Sequence, residues 1–115
     1  MGKRMLVCGG RDFTDWELLV EELTWLLGSD DYGTIIHGGA RGADSLAGEY
    51  ARDNGLKEIV FKADWNKHGN AAGPIRNKRM LVEGKPDIVA AFPGGKGTAD
   101  MIRQAELYGV EVVRL

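Results

Sequence analysis

Apolar residues come in short bursts along this chain, each stopped by glycine and followed by a stretch with helical spacing. Met5-Leu6-Val7-Cys8 is the first burst and ends at Gly9-Gly10. Trp16, Leu19, Val20, Leu23, Leu26 and Leu27 then fall on one helical face. Thr14 and Glu17 have the spacing of a capping box at its start, and Gly28 is its expected stop. After a polar connection over residues 29–33, Thr34-Ile35-Ile36-His37 reads as a second strand, ending in Gly38-Gly39-Ala40-Arg41-Gly42. A helix is expected from Ala43, with Leu46, Ala47, Tyr50 and Ala51 on its inner face. Glu58-Ile59-Val60-Phe61 reads as the third strand. The alternation then breaks over residues 62–73, where the polar and small residues predict a long ordered loop of the kind that often carries function. Pro74 suits the first turn of a helix bearing Arg76, Asn77 and Lys78 early and Met80, Leu81 and Val82 late. The unbroken run at residues 87–92 predicts a buried parallel strand. It enters Pro93-Gly94-Gly95-Lys96-Gly97, and Thr98 is placed to cap a helix ending at Gly109. Residues 110–115 alternate, as an edge strand does.

Strands separated by helices specify repeated βαβ units. The expected fold is therefore a single α/β domain over residues 1–115, with a five-stranded parallel sheet and right-handed crossovers. Ligands bind such sheets at the carboxyl ends of the strands. All three glycine clusters follow directly on predicted strands and so converge on that edge. In the last cluster, glycine lets backbone N–H groups approach a ligand closely, and the following helix directs its positive end to the same spot. That is the chemistry of a phosphate site.

Composition narrows the partners. The net charge is −2, and no basic stripe is clustered in the sequence, so nucleic acid is not expected. One cysteine, Cys8, lies in an apolar run and has no partner for an internal disulfide, which suits a reducing cytoplasm. The opening apolar stretch is too short for a signal peptide or a membrane span. Gly2 fails the myristoylation pattern, because Leu6 stands where Ser or Thr is required. His37 and His68 have no neighbours at metal-ligand spacing, so neither metal nor cofactor is expected. Lys96 precedes Gly97, where a Walker A loop requires Ser or Thr. The dinucleotide pattern fails at its first glycine, where His37 stands, although Asp64 sits at about the distance of a ribose-binding acid.

The segments Gly9-Gly10-Arg11-Asp12-Phe13, His37-Gly38-Gly39-Ala40-Arg41-Gly42-Ala43-Asp44, Gly73-Pro74-Ile75-Arg76-Asn77 and Pro93-Gly94-Gly95-Lys96-Gly97-Thr98-Ala99-Asp100-Met101 occur in order. Together they resemble the SLOG superfamily of Rossmann-like nucleotide-ligand domains, in its small, single-domain YspA-like branch related to YpsA. The resemblance covers essentially the whole chain and implies a three-layer fold with strand order 3-2-1-4-5. LOG relatives are phosphoribohydrolases that cut the N-glycosidic bond of cytokinin nucleotides, with Pro-Gly-Gly-x-Gly-Thr-x-x-Glu and an arginine on the preceding helix. Pro93 to Thr98 match, and Arg76 is the counterpart of the arginine. Met101 stands at the catalytic glutamate. Asp100 is one residue early, turned by about 100° on a helix.

The expected phosphate cradle is Pro93, Gly94, Gly95, Gly97 and Thr98, with Arg76 neutralising the anion and Asn77 bonding ribose or base. Gly9, Gly10, Arg11, Gly38, Gly39 and Arg41 reach the same edge. Trp65 and His68, on the long loop, are candidates to stack on a base or to act as a lid. Asp44 and Asp100 are the candidate catalytic acids. The leading expectation is a module that binds a nucleotide-derived small molecule, a nucleoside monophosphate or an ADP-ribose-like compound. The alternative is an N-glycosidic hydrolase of such a nucleotide. Single-stranded DNA binding, known in Smf/DprA relatives, is a distant third. The relatives also imply a homodimer or higher homo-oligomer.

Overall fold

The computed structural model of the protein describes residues 2–28 and 31–115. The expected polar connection after the first helix falls partly on Ser29 and Asp30, which lie outside the described residues. Five parallel strands form one sheet in the order β3-β2-β1-β4-β5: β1 (Lys3–Cys8), β2 (Tyr32–His37), β3 (Lys57–Val60), β4 (Ile88–Ala91) and β5 (Glu111–Arg114). Helices α1 (Trp16–Gly28), α2 (Ala43–Asp53), α3 (Trp65–His68), α4 (Ala72–Val82) and α5 (Lys96–Leu107) complete the fold. The fold class and the strand order are those expected from the sequence.

The side-chain alternation along β1 divides the core into two. Met5 and Val7 point to one face, where they pack with Leu19, Leu23 and Leu26 of α1 and Ala47, Tyr50 and Ala51 of α2. Leu6 and Cys8 point to the other, against Met80 and Leu81 of α4 and Met101 and Ala105 of α5. This makes three layers. Each fully buried Leu or Ile contributes about 1.5–3 kcal/mol of hydrophobic stabilisation, so the central strands, buried on both faces, anchor the domain.

Four local expectations are corrected. Helix α1 begins at Trp16 and is capped by Asp15, whose Oδ1 accepts from the Leu18 N–H at 3.0 Å. Thr14 is one residue too early for that geometry. Residues 62–73 are not a long loop: α3, a 3₁₀ turn at Gly69–Ala71 and the start of α4 occupy most of them. Asp64 caps α3 by accepting from the Lys67 N–H at 3.0 Å, which gives this acid a structural task in place of the ribose contact that its spacing suggested. Helix α5 begins two residues before Thr98, with Gly95 at its N-cap position.

Helix α2 begins on Gly42, where φ is +79° and an added Cβ would lie 2.2 Å from the Gly10 carbonyl oxygen. Both the dihedral and the close approach exclude a side chain. Gly42→Ala is therefore expected to lower stability by about 2 kcal/mol or more. Gly28→Ala, which meets nothing within 4 Å, should stay within about 0.5 kcal/mol. Urea unfolding of the two variants checks both.

Candidate functional site

The loops leaving β1, β2 and β4 are tied together by backbone hydrogen bonds on one residue. Gly10 donates its N–H to the Pro93 carbonyl at 2.9 Å, and its own carbonyl accepts from Ala43 at 3.1 Å and Phe13 at 3.2 Å. Beyond this knot opens a cleft of about 1000 Å³. It lies at the carboxyl ends of β1 and β4, the point where the chain turns from building one half of the sheet to building the other.

Helix α5 presents its amino end to this cleft. Gly95, Lys96, Gly97 and Thr98 all line it, and no side chain caps the helix. The N–H groups of a helical first turn have no intrahelical acceptor, so they remain available there to an anion. The glycines of this loop are of two kinds. At Gly94 an added Cβ would lie 2.2 Å from Thr98 Oγ1 and 2.7 Å from the Gly10 nitrogen, so packing alone excludes a side chain. At Gly95 and Gly97 a Cβ would meet no protein atom within 4 Å.

Opposite stands Arg76, half-buried on α4. Its Nη1 donates to the Gly38 carbonyl at 2.6 Å and its Nε to Asn77 Oδ1 at 3.0 Å. Burial pulls its pKa down; Asp44 opposes that fall and Arg11 adds to it. Asp44, at the start of α2, is buried and accepts from the Ala40 N–H at 3.2 Å. Burial pushes its carboxyl above the ordinary range, against the pull of that hydrogen bond and of His37 and Arg76. Cys8 also lines the cleft. Burial and then Asp44 push its thiol up to about 12, so it stays protonated and is no nucleophile. Arg11 lies with its guanidinium carbon 5.5 Å from the Trp65 ring centroid, a cation–π contact at the mouth of the cleft.

Of the expected site residues, Gly9, Gly10, Arg11, Asp44, Trp65, Arg76, Asn77, Pro93, Gly94, Gly95, Gly97 and Thr98 all line the cleft. Gly38, Gly39 and Arg41 line a smaller recess beside it. His68 and Asp100 line neither. The Asp100 carboxylate is held by Asn77 Nδ2 at 3.0 Å, by Gln104 Nε2 at 2.8 Å and by Arg103. Asn77 stands between it and the cleft. Met101 is 1% exposed and packs in the core. Sequence reasoning passed over Lys62 and gave Lys96 no place in the cradle. Lys96 was legible as a cation inside a glycine loop, whereas Lys62 carried no signal. Among the described residues, no three His, Cys, Asp or Glu side chains form a metal-binding group, and no helix is long and apolar enough to cross a membrane.

His37 has a structural task. Its Nδ1 accepts from the Gly39 N–H at 3.0 Å, so Nε2 carries the proton donated to Glu58 Oε2 at 2.6 Å. Arg52 donates to the other Glu58 oxygen at 2.7 Å. This chain fixes the loop after β2 from beneath.

These features define a Rossmann-like domain with a ligand cleft at its strand ends. A model of the YspA, cpYpsA-related SLOG family matches residues 3–68. The Gene 61 protein of Mycobacterium phage D29 is 37% identical over 123 aligned positions, which cover 96% of this chain and 94% of the relative. The chain belongs to the YspA, cpYpsA-related SLOG family. Among solved structures, DNA processing protein A (DprA) from Streptococcus pneumoniae matches with a TM-score of 0.53 at 18% identity, over 97% of this chain. NADH-dependent reductase A1-R′, complexed with NAD, matches with a TM-score of 0.50 at 17% identity, over 98% of this chain. The chain spans 58% of the length of each, and at these identities the likeness is one of fold. Family and fold are together consistent with a nucleotide-related ligand.

The hydrogen bond from His37, and then that from Arg52, holds the Glu58 carboxyl below its ordinary value of about 4.5. The stability this group contributes is complete above that unfolded value and is lost as pH falls through the lower folded one. Glu58→Gln should therefore flatten the acid limb of the stability profile. Urea midpoints of the wild-type protein should fall more steeply than those of the variant between about pH 5 and pH 3.

Proposed function

We propose that the protein binds a nucleotide-derived small molecule, a nucleoside monophosphate or an ADP-ribose-like compound, with a phosphate at the amino end of α5. Gly97 carries the reading. It is the second residue of α5, and glycine costs up to about 1 kcal/mol against alanine in a helix. No protein atom lies within 4 Å of the space its Cβ would fill. No protein atom asks for glycine there, and Gly97 lines the cleft. A phosphate seated against the N–H groups of Gly97 and Thr98 uses that space, and the positive end of the helix favours its charge. Arg76 supplies a fixed cation across the cleft, and Arg11 a second on its rim. In this reading Thr98 donates from its hydroxyl, and Asn77 orients the ribose or the base.

Retention of the ligand unchanged is favoured over its hydrolysis, because Asp100 is engaged by three side chains and Met101 is in the core. The hydrolase reading has one observation on its side. Asp44 lines the cleft and keeps its proton to higher pH than an ordinary carboxylic acid, as a general acid must. We further propose that the protein works in a reducing cytoplasm as a homo-oligomer. Trp25, 73% exposed on α1, gives that helix an apolar surface for the contact.

Ultrafiltration with mass spectrometry against a panel of nucleoside monophosphates, ADP-ribose and NAD tests the reading. One ligand should be retained intact. Gly97→Ala should cut its affinity about tenfold or more, while stability stays level or rises by about 1 kcal/mol. Retention of nothing across the panel overturns the proposal. Free base with ribose phosphate, absent in Asp44→Asn, would decide for hydrolysis.

A further inference from the structure

A recess of about 410 Å³ adjoins the cleft and shares Arg11, Trp65 and Arg76 with it. Four of its lining residues are cations, Arg11, Arg41, Lys62 and Arg76, and none is acidic. In a chain of net charge −2, such a convergence is not what average composition supplies. Like charges this close repel, and the Arg76 pKa is pulled down in part by Arg11.

Arg76, Arg11 and Lys62 are each held beside the recess by a feature of the fold, and Arg41 lines it with an exposed side chain. Arg76 is fixed by the Gly38 carbonyl, and Arg11 is seated over Trp65. Lys62 lies across Gly39, where an added Cβ would come within 3.1 Å of its Cγ and φ is already +72°. Arg41 meets Asp12 at 3.4 Å, with the two side chains 76% and 96% exposed. A pair that open contributes at most about 1 kcal/mol and leaves the Arg41 charge available. The fold therefore assembles four positive groups around a concavity, and the carboxylates next to them, Asp44 beside Arg76 and Asp12 beside Arg41, offset at most two.

A phosphate at the amino end of α5 does not offset the rest, because Gly94, Gly95, Gly97 and Thr98 line the cleft and none of them lines the recess. A phosphate seated on the helix leaves the recess empty. We propose that the ligand carries a second phosphate group, held in the recess by Arg11, Arg41, Lys62 and Arg76. This inference rests on the phosphate reading of the cleft. The ligand class then narrows to nucleotides with two phosphates, either a pyrophosphate or a bisphosphate on one ribose. Arg11 and Arg76, shared by both compartments, lie between the two anions and touch each.

Calorimetric titration of the whole protein with the common ribonucleoside 5′-monophosphates, 5′-diphosphates and 3′,5′-bisphosphates, and with ADP-ribose and NAD, tests this. For the preferred base, one doubly phosphorylated form should bind about tenfold or more tighter than the monophosphate, as a charge-assisted contact provides. In the Arg41→Ala/Lys62→Ala double variant that ratio should fall to about twofold or less. Both side chains are exposed, so the variant is expected to fold, and thermal unfolding verifies it. Lys78→Ala, an exposed cation outside both compartments, should leave the ratio unchanged. A monophosphate that binds with no gain from the second phosphate, or a gain that survives the double variant, overturns this inference and leaves the phosphate reading of the cleft standing. Binding by none of the series overturns both.

Discussion

The structure turns on the approach of two backbones at Gly10. Its N–H and C=O together bind the loops after β1, β2 and β4, and the spacing admits no side chain at Gly42 or Gly94. Three strand ends are thereby fixed with respect to one another before any side chain takes part. Buried backbone groups that lack a partner are costly, and here they partner each other. The polar knot is therefore also what lets the apolar strands beneath it end together. A cleft built on such a base is set by backbone positions, which side-chain motion cannot blur.

On that base the side chains divide the charge unevenly. The buried carboxyl of Asp44 and the half-buried guanidinium of Arg76 face the same ground, and each perturbs the other. The remaining cations, Arg11, Arg41 and Lys62, sit outward of them on loops following β1, β2 and β3. Two further acidic side chains are taken up outside the cleft: Glu58 is held by His37 and Arg52, and Asp100 by Asn77, Arg103 and Gln104. The lining of the recess is cationic, in a chain that is slightly anionic overall.

The sheet and the convergence of its glycine loops were legible because both follow from local pattern. Unbroken apolar runs mark central strands, and glycine after a strand marks a turn at the ligand edge. The caps were less legible. Thr14 and Asp15 are adjacent residues that can both cap a helix, and aspartate, the better of the two, takes the position. Residues 62–73 read as loop because Asn, Gly and Lys dominate them. Asp64 and the packing of Trp65 near Gly73 nonetheless fold them into short helical turns. His37 could not be read at all. Its role depends on Glu58, 21 residues away on the neighbouring strand, and no local spacing carries such a partner. Asp100 is similar: its neighbour Asn77 arrives from another helix.

The register at the centre of the sheet has a consequence for the order of assembly. Met5 pairs with Ile88, and Cys8 with Ala91, so the first strand of this sheet to be made waits for nearly the last. Until β4 arrives, β1 is an edge with one row of hydrogen-bonding groups open and the Leu6 and Cys8 face not yet covered by α5. The nascent chain is thus most exposed to mispairing during the interval in which α3 and α4 are made. The loop of β4 also completes the cleft, so a partly made chain has no ligand site to stabilise it. Recognition and the completion of folding coincide in the same few residues.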